Sequence, residues 1–361
     1  EQIPWTAYRE KMLTDFAAGQ GADIVEISSY WMCEFVGRKL LLALDEYMAT
    51  DPDLAKDKWI PGAFLERIHT FAGATYGLPS GDSPKVLWFN KDVFAAAGVK
   101  NPLEWEAEGK WNWDTFLDVV TSLTKGEGPS KHFGYWTWMA RADTHDIMRS
   151  FGGGWTDQDA SEVWCEKPES IQGLQFALDI FLKHKAAPLT QELQAMGGGQ
   201  QMFLTGRLAM FMSGVWEVYS LKQTKVPYDV APLPSGPAGR FMHHGANALV
   251  LPAACKHPDQ AWELMRFLKS PGLEKIMVQG EGFMPFQKAS VETFLSKGHI
   301  PSAQVFIDAL EKGWAPPIPL NTNATQMDQV VGDALGIALS EGKDAAWVAA
   351  EVAPKLEPLV G

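Results

Sequence analysis

The sequence predicts an α/β protein of two domains. Three observations carry that expectation. Short β-type runs and longer amphipathic runs alternate along the chain, the pattern of layered α/β architecture with largely parallel sheets. The 361 residues suffice for about two domains of ~150 residues or a little more each. A composition of 46% hydrophobic and 21% charged residues leaves ample apolar material for large cores. No repeat, low-complexity segment or clean linker divides the chain, so it is expected to cross between domains more than once.

The elements follow in order. EQIPWTAYREKMLTDFAA, residues 1–18, opens on a helix, with Trp5, Tyr8, Met12, Leu13, Phe16 and Ala17 at helical spacing. DIVEIS is a short strand after a glycine-containing turn, and KLLLALDEYM is helical. The Pro, Gly, Ser and Asp residues of 77–84 predict a turn, and KVLWFN a strand. Asn90 or Asp92 can cap the helix DVFAAAG, which ends at Gly98. WNWDTFLDVVTSLTK is a helix lined by Phe116, Leu117, Val120 and Leu123. HFGYWTW is a strand, followed by a helix through His145 to Phe151, the run GGGW, and the amphipathic helix PESIQGLQFALDIFLKH. After a glycine turn at 197–199, a helix stops at Gly206, RLAMFM is a strand apolar on both faces, and Ser213-Gly214 precedes Trp216. YDVAPLP and HHGANALVLPA are strands, and HPDQAWELMRFLKSPG is a helix with Asp259 near its start. ATQMDQVVGDALGIALSEG and KDAAWVAAEVAPKLEPLV close the chain as helices.

Much chemistry is argued against. The formal net charge is −13 and no Lys or Arg run occurs, so no nucleic-acid partner is expected. No run approaches ~18 apolar residues, the length of a membrane span. The three cysteines, Cys33, Cys165 and Cys255, lie far apart without metal-ligand spacing. They are read as buried thiols, or as one disulfide and a free thiol. GGG at 152–154 and 197–199 matches no nucleotide-binding fingerprint, which leaves turns as the reading. His243 and His244 are adjacent and would point to opposite faces of a strand, so no metal is expected. No motif for covalent catalysis is present, and no cofactor is expected.

The 15 tryptophans stand out. Trp31, Trp136, Trp138, Trp155, Trp216 and Trp314 sit beside turn residues, outside helical stripes. Flat rings at strand ends suit a cleft that stacks on the apolar face of a sugar, while amide and carboxylate groups bond its hydroxyl rim.

In this order the motifs resemble the family 1 extracellular solute-binding proteins of ABC importers. LTDFAAGQGADIVEISSYW is similar to the family's helix, turn, strand and aromatic ligand loop. YGLPSGDSPKVLWFNKDVFAAAGV resembles its first crossing between lobes, and WNWDTFLDVVTSLTK its next helix. FLTGRLAMFMSGVWEV and GANALVLPAACKHPDQAWELMRFLKSP resemble its later signatures, so the likeness runs nearly the whole chain. The family normally begins with a strand before the first helix, and that strand is expected upstream of this sequence.

The resemblance implies a two-lobed periplasmic-binding-protein fold, each lobe a mostly parallel sheet flanked by helices. Lobe one is then 1–82 plus 247–314, and lobe two 86–244 plus 318–361. Crossings fall near 83–85, 244–247 and 314–318, and Pro84 should stiffen the first. Cleft residues should follow strands. They are Tyr30 and Trp31 after DIVEIS, Asp82 at the first crossing, Trp136 and Trp138 after HFGY, Trp155 after GGG, Trp216 after AMFMSG, His244 and Asn247 at the second crossing, and Asn323 past the third. The implied protein is a monomer without enzymatic activity, periplasmic or anchored outside the cell as a lipoprotein. It captures a sugar and delivers it to the permease subunits of an ABC importer. A carbohydrate hydrolase, or a binder of a polyamine or of iron, are the alternatives.

Overall fold

A computed structural model describes residues 3, 5–54, 58–60, 69–280, 283–297, 299–315, 319 and 321–361. Its strands are β1 (Val25–Ser28), β2 (Thr70–Phe71), β3 (Ala74–Thr75), β4 (Gly77–Pro84), β5 (Val86–Asn90), β6 (Phe133–Trp136), β7 (Leu208–Ser213), β8 (Tyr228–Ala231) and β9 (His244–Val250). They form a three-stranded sheet in the order β1-β9-β4, a four-stranded sheet in the order β6-β7-β5-β8, and the β2-β3 hairpin.

The expected mostly parallel pairing needs correction. Among the described strands only β6 and β7 form a parallel ladder, and the other ladders are antiparallel. The cause is one reversed strand in each main sheet. β1 and β4 run the same way, each against β9, while β6, β7 and β8 run the same way against β5. The βα alternation still sets the shared direction, and the reversed strands are those nearest the crossings.

The turn expected at 77–84 is strand β4. Its backbone pairs with β9 from Gly77↔Val250 to Pro84↔His244, which satisfies groups a loop would leave to water. The turn-forming residues are absorbed by a slip in register between Ser80 and Ser83.

Helix ends follow local chemistry. The Asn90 side chain accepts from the backbone N–H groups of Asp92 and Val93, and Gly98 closes that helix at φ 66°. Asn112 caps Trp113–Leu123 by accepting from Thr115 N, and Asp344 caps Ala345–Leu356 by accepting from Trp347 N.

The three-stranded sheet is covered on both faces. Met12 and Phe16 of the helix Trp5–Ala17 pack with Ile27, Phe35 and Val250. Trp262 and Met265 of the helix Pro258–Leu268 pack with Leu44, Trp59 and Leu78. In the four-stranded sheet every residue of β5 and β7 is buried, as strands covered by helices on two faces require. Trp88, Phe116, Phe203 and Phe211 are in its core.

Residues near 300, expected in lobe one, also contact the four-stranded sheet. The Tyr228 hydroxyl donates to the His299 carbonyl at 3.0 Å, Asp229 Oδ1 accepts from Ser302 N at 2.9 Å, and Phe306 lies 6.5 Å from Trp88, ring to ring. The helix Gln304–Glu311 also packs against β4 of the three-stranded sheet. The third crossing, near 314–318, falls mostly outside the described residues, since 316–318 lie beyond them. All three cysteines are free thiols, Cys33 and Cys165 buried.

Candidate functional site

Strand registers bring two sheet edges together. Ser28, the last residue of β1, faces Asn247, and Pro84, the last of β4, faces His244 at the start of β9. Val86, the first residue of β5, faces Ser213, the last of β7, while Trp136, the last of β6, pairs beside Phe211. The carboxyl ends of β4 and β7 therefore meet at the short link at Lys85, and those of β1 and β6 point the same way toward it. Loops leaving such ends are where α/β sheets hold ligands.

Several expected residues lie on those loops. Tyr30 and Trp31 form a single 3-10 turn after β1, both half-buried. The Tyr30 hydroxyl donates to the His244 carbonyl at 2.5 Å, and Trp31 lies 6.3 Å from Tyr8, ring to ring. Trp136 and Trp138 meet edge to face with centroids 4.7 Å apart; Trp136 is 7% exposed and Trp138 is 67% exposed. Trp216 is half-buried in the turn Val215–Glu217 after β7 and folds over Gly214. Asn247 donates to Glu26 Oε1 at 2.8 Å, and Ser80 donates to Glu26 Oε2 at 2.7 Å. His244 is buried, and burial, reinforced by His69 and His243, holds its imidazole well below the usual histidine range. The backbone of Asp82 lies in β4, and its side chain is outside the described residues.

One expected residue is enclosed, and another is engaged within its own lobe. Trp155 is completely buried, its indole N–H donating to Thr144 Oγ1 at 2.9 Å and to the Arg141 carbonyl at 3.1 Å. The glycine run before it packs closely on Ser170, which draws the ring into the core. Asn323 spends its side chain on the C-terminal turn, donating to the Leu359 carbonyl at 3.1 Å.

The sequence reading missed an ionic cluster at the link. The helix Arg141–Ser150 begins shortly after β6. Lys85 Nζ lies 3.6 Å from Asp143 Oδ1, and His243 lies between Asp146, 2.6 Å from Nδ1, and Asp143, 3.6 Å from Nε2. Arg141 donates through Nε to Asp328 and through Nη1 to the Pro319 carbonyl at 3.4 Å. Its Nη2 is buried without a hydrogen-bond partner. Burial would raise the Asp143 carboxyl, but Lys85 and His243, with the Ala140 N–H and Thr137, outweigh it and hold it below the usual carboxylate range. Burial, then Asp146, Asp328 and Asp143, push the Tyr30 phenol well above its ordinary value, so it remains a neutral donor. Burial also raises the Glu217 carboxyl, against the pull of Ser213, Lys85 and Trp216. The available signal was the polar run ARADTHD directly after a strand, which in sequence reads as an ordinary solvated helix start.

A family model described as bacterial extracellular solute-binding protein matches residues 1–275. The maltotriose-binding protein of Pyrococcus abyssi is 26% identical over 275 residues, which cover 74% of this chain and 55% of that protein. A substrate-binding protein from Listeria monocytogenes, solved in complex with cycloalternan, superposes with a TM-score of 0.88 at 18% identity, covering 99% of this chain and 90% of that one. The GacH receptor of Streptomyces glaucescens, solved unliganded and with acarbose, superposes with a TM-score of 0.83 at 18% identity, covering 99% and 89%. These likenesses show the two-lobed fold that the motifs implied. With the family match spanning most of the sequence, the chain belongs to the bacterial extracellular solute-binding proteins.

Proposed function

We propose that this protein captures a sugar or oligosaccharide between two lobes and delivers it to the permease subunits of an ABC importer. It acts as a monomer, in the periplasm or anchored outside the cell as a lipoprotein. Lobe one is built on the three-stranded sheet and comprises 1–82 and 247–280. Lobe two is built on the four-stranded sheet and comprises 86–244 and 318–361, with 299–311 docked on it. The observation that carries the reading is the exposed Trp138 ring braced by Trp136 on one sheet edge, with the Glu26–Ser80–Asn247 cluster on the other. A ring offers area to the apolar face of a pyranose, and the polar cluster offers donors and acceptors to its hydroxyls.

The maltotriose-binding relative favours an oligosaccharide over a single sugar. Thermal unfolding with maltose, maltotriose, mannotriose and spermidine, followed by calorimetry, tests this. A sugar that binds should raise the midpoint by mass action. A rise with spermidine alone would favour the cationic-solute alternative. Recovery of the sugar unchanged separates a binder from a hydrolase.

A further inference from the structure

The strands that pass between the sheets form one hydrogen-bonded ribbon. Pro84 faces His244 at the end of the β4–β9 ladder, and Lys85 N donates to the His243 carbonyl at 2.9 Å. On one side of that point the ribbon is tied to the helix Arg141–Ser150. His243 donates from its backbone N–H to Asp146 Oδ2 at 2.6 Å, and its Nδ1 lies 2.6 Å from the same oxygen. Its Nε2 and the Lys85 ammonium each lie 3.6 Å from Asp143 Oδ1. The His243, Asp143 and Asp146 side chains are 2%, 1% and 4% exposed, so water screens these contacts little. Ser83 is tied to the same side, its Oγ accepting from Val215 N at 2.9 Å.

On the other side the ladder breaks. Ser80 faces Asn247 and Ser83 faces Gly245, so two residues of β4 stand opposite one of β9. A bulge of this kind leaves a residue out of the ladder and lets the strand bend and twist.

We propose that the ribbon is a fulcrum fixed to lobe two from Ser83 onward and up to His243. Bending between lobes is then taken up at the bulge, by residues 80–82 and the facing 245–247. His243 is a positioning residue that acts through Asp143 and Asp146, and touches no solute. The inference rests on the division into lobes proposed above. Its physical basis is a difference in cost. Moving His243 off its aspartates strips partners from buried charges, whereas rotating backbone at a bulge breaks no ladder bond.

Distance distributions between spin labels test this on the full chain. Labels go at Glu46→Cys and Asp118→Cys, both exposed, one in each lobe, with Cys255→Ser to remove the half-buried thiol. The wild type should give a bounded distribution. His243→Leu, which removes both contacts, should widen it by about half or more, and His243→Asn, which keeps a donor toward Asp146, should restore it. Circular dichroism establishes that each variant is folded. A folded His243→Leu with wild-type width overturns the fulcrum. A label pair rigid at one distance in the wild type, with or without maltotriose, overturns the lobe reading and the fulcrum with it. Should His243→Leu fail to fold, hydrogen exchange of the wild type decides. Amides of 80–82 and 245–247 should exchange about tenfold faster or more than those of 85–88 and 243–244. The reverse order overturns the proposal.

Discussion

Trp136 holds Trp138 edge to face at 4.7 Å, and only Trp138 is exposed to solvent. The buried ring also lies against Gly199, where an added Cβ would stand 2.6 Å from its Cε3. Trp136 is thus clamped between the chain and its neighbour, and it holds the exposed ring in place before any solute arrives. A preorganised ring contributes its area without first losing rotamer freedom.

Trp138→Ala should therefore weaken sugar binding by about tenfold or more, roughly 1.4 kcal/mol, with little change in stability. Calorimetry and urea unfolding measure the two quantities separately. Full affinity in the variant would remove Trp138 from the site.

Gly214 and Trp216 should behave as one unit. Gly214 has φ −94° and ψ −174°, which any residue can adopt, so backbone strain is not at issue. An added Cβ would stand 2.2 Å from Trp216 Cζ3, so the ring must leave its position. Gly214→Ala should reproduce the affinity loss of Trp216→Ala, expected at about tenfold or more, and the double variant should be no worse than Trp216→Ala alone. Additive losses would mean that the two residues act separately.

Trp155 should report on stability and not on the solute. Trp155→Phe removes the donor to Thr144 and Arg141 and leaves a small void, at a cost of ~1–3 kcal/mol. Denaturant unfolding should show that loss, while the dissociation constant stays within about twofold. The opposite pattern would return Trp155 to the cleft.

Glu274 is 5% exposed and accepts from Phe286 N at 2.6 Å, Gln287 N at 3.2 Å and Ser290 Oγ at 3.0 Å. Burial pushes its carboxyl up from 4.5 to about 7, although these donors and Lys269 pull it down. The folded chain therefore binds this proton more tightly than the unfolded chain. The linked stabilisation is complete below pH 4.5 and is lost as pH rises to about 7, by up to ~3 kcal/mol. The difference in unfolding free energy between wild type and Glu274→Gln should fall across that window and be flat above it. A difference that does not vary with pH would refute this.

Much of the fold was legible because it depends on local pattern. Asn90, Asn112 and Gly98 mark helix ends through bonds and dihedrals made within a few residues. RLAMFM reads as a central strand because apolar residues on both faces need two covering layers, and β7 has both. The same locality explains the placing of Trp138 and Trp216 on loops after strands, since a strand's end and the turn after it are written side by side.

The failures share one cause, the choice of a distant partner. Residues 77–84 carry the chemistry of a turn, and only pairing with β9 makes them a strand. Trp155 and Trp138 have similar turn-rich neighbourhoods in sequence, yet one is wholly buried and the other mostly exposed. His243 carried no role in the sequence, because Asp143 and Asp146 reach it from about a hundred residues away.

The sequence by itself therefore determined the alternation of elements, the family and where the strands end. Tertiary structure alone decided the reversed strands, the buried ionic link and which rings face solvent. Those depend on contacts between residues far apart in the chain, and the energy of burying a ring or a charge is set by what packs against it.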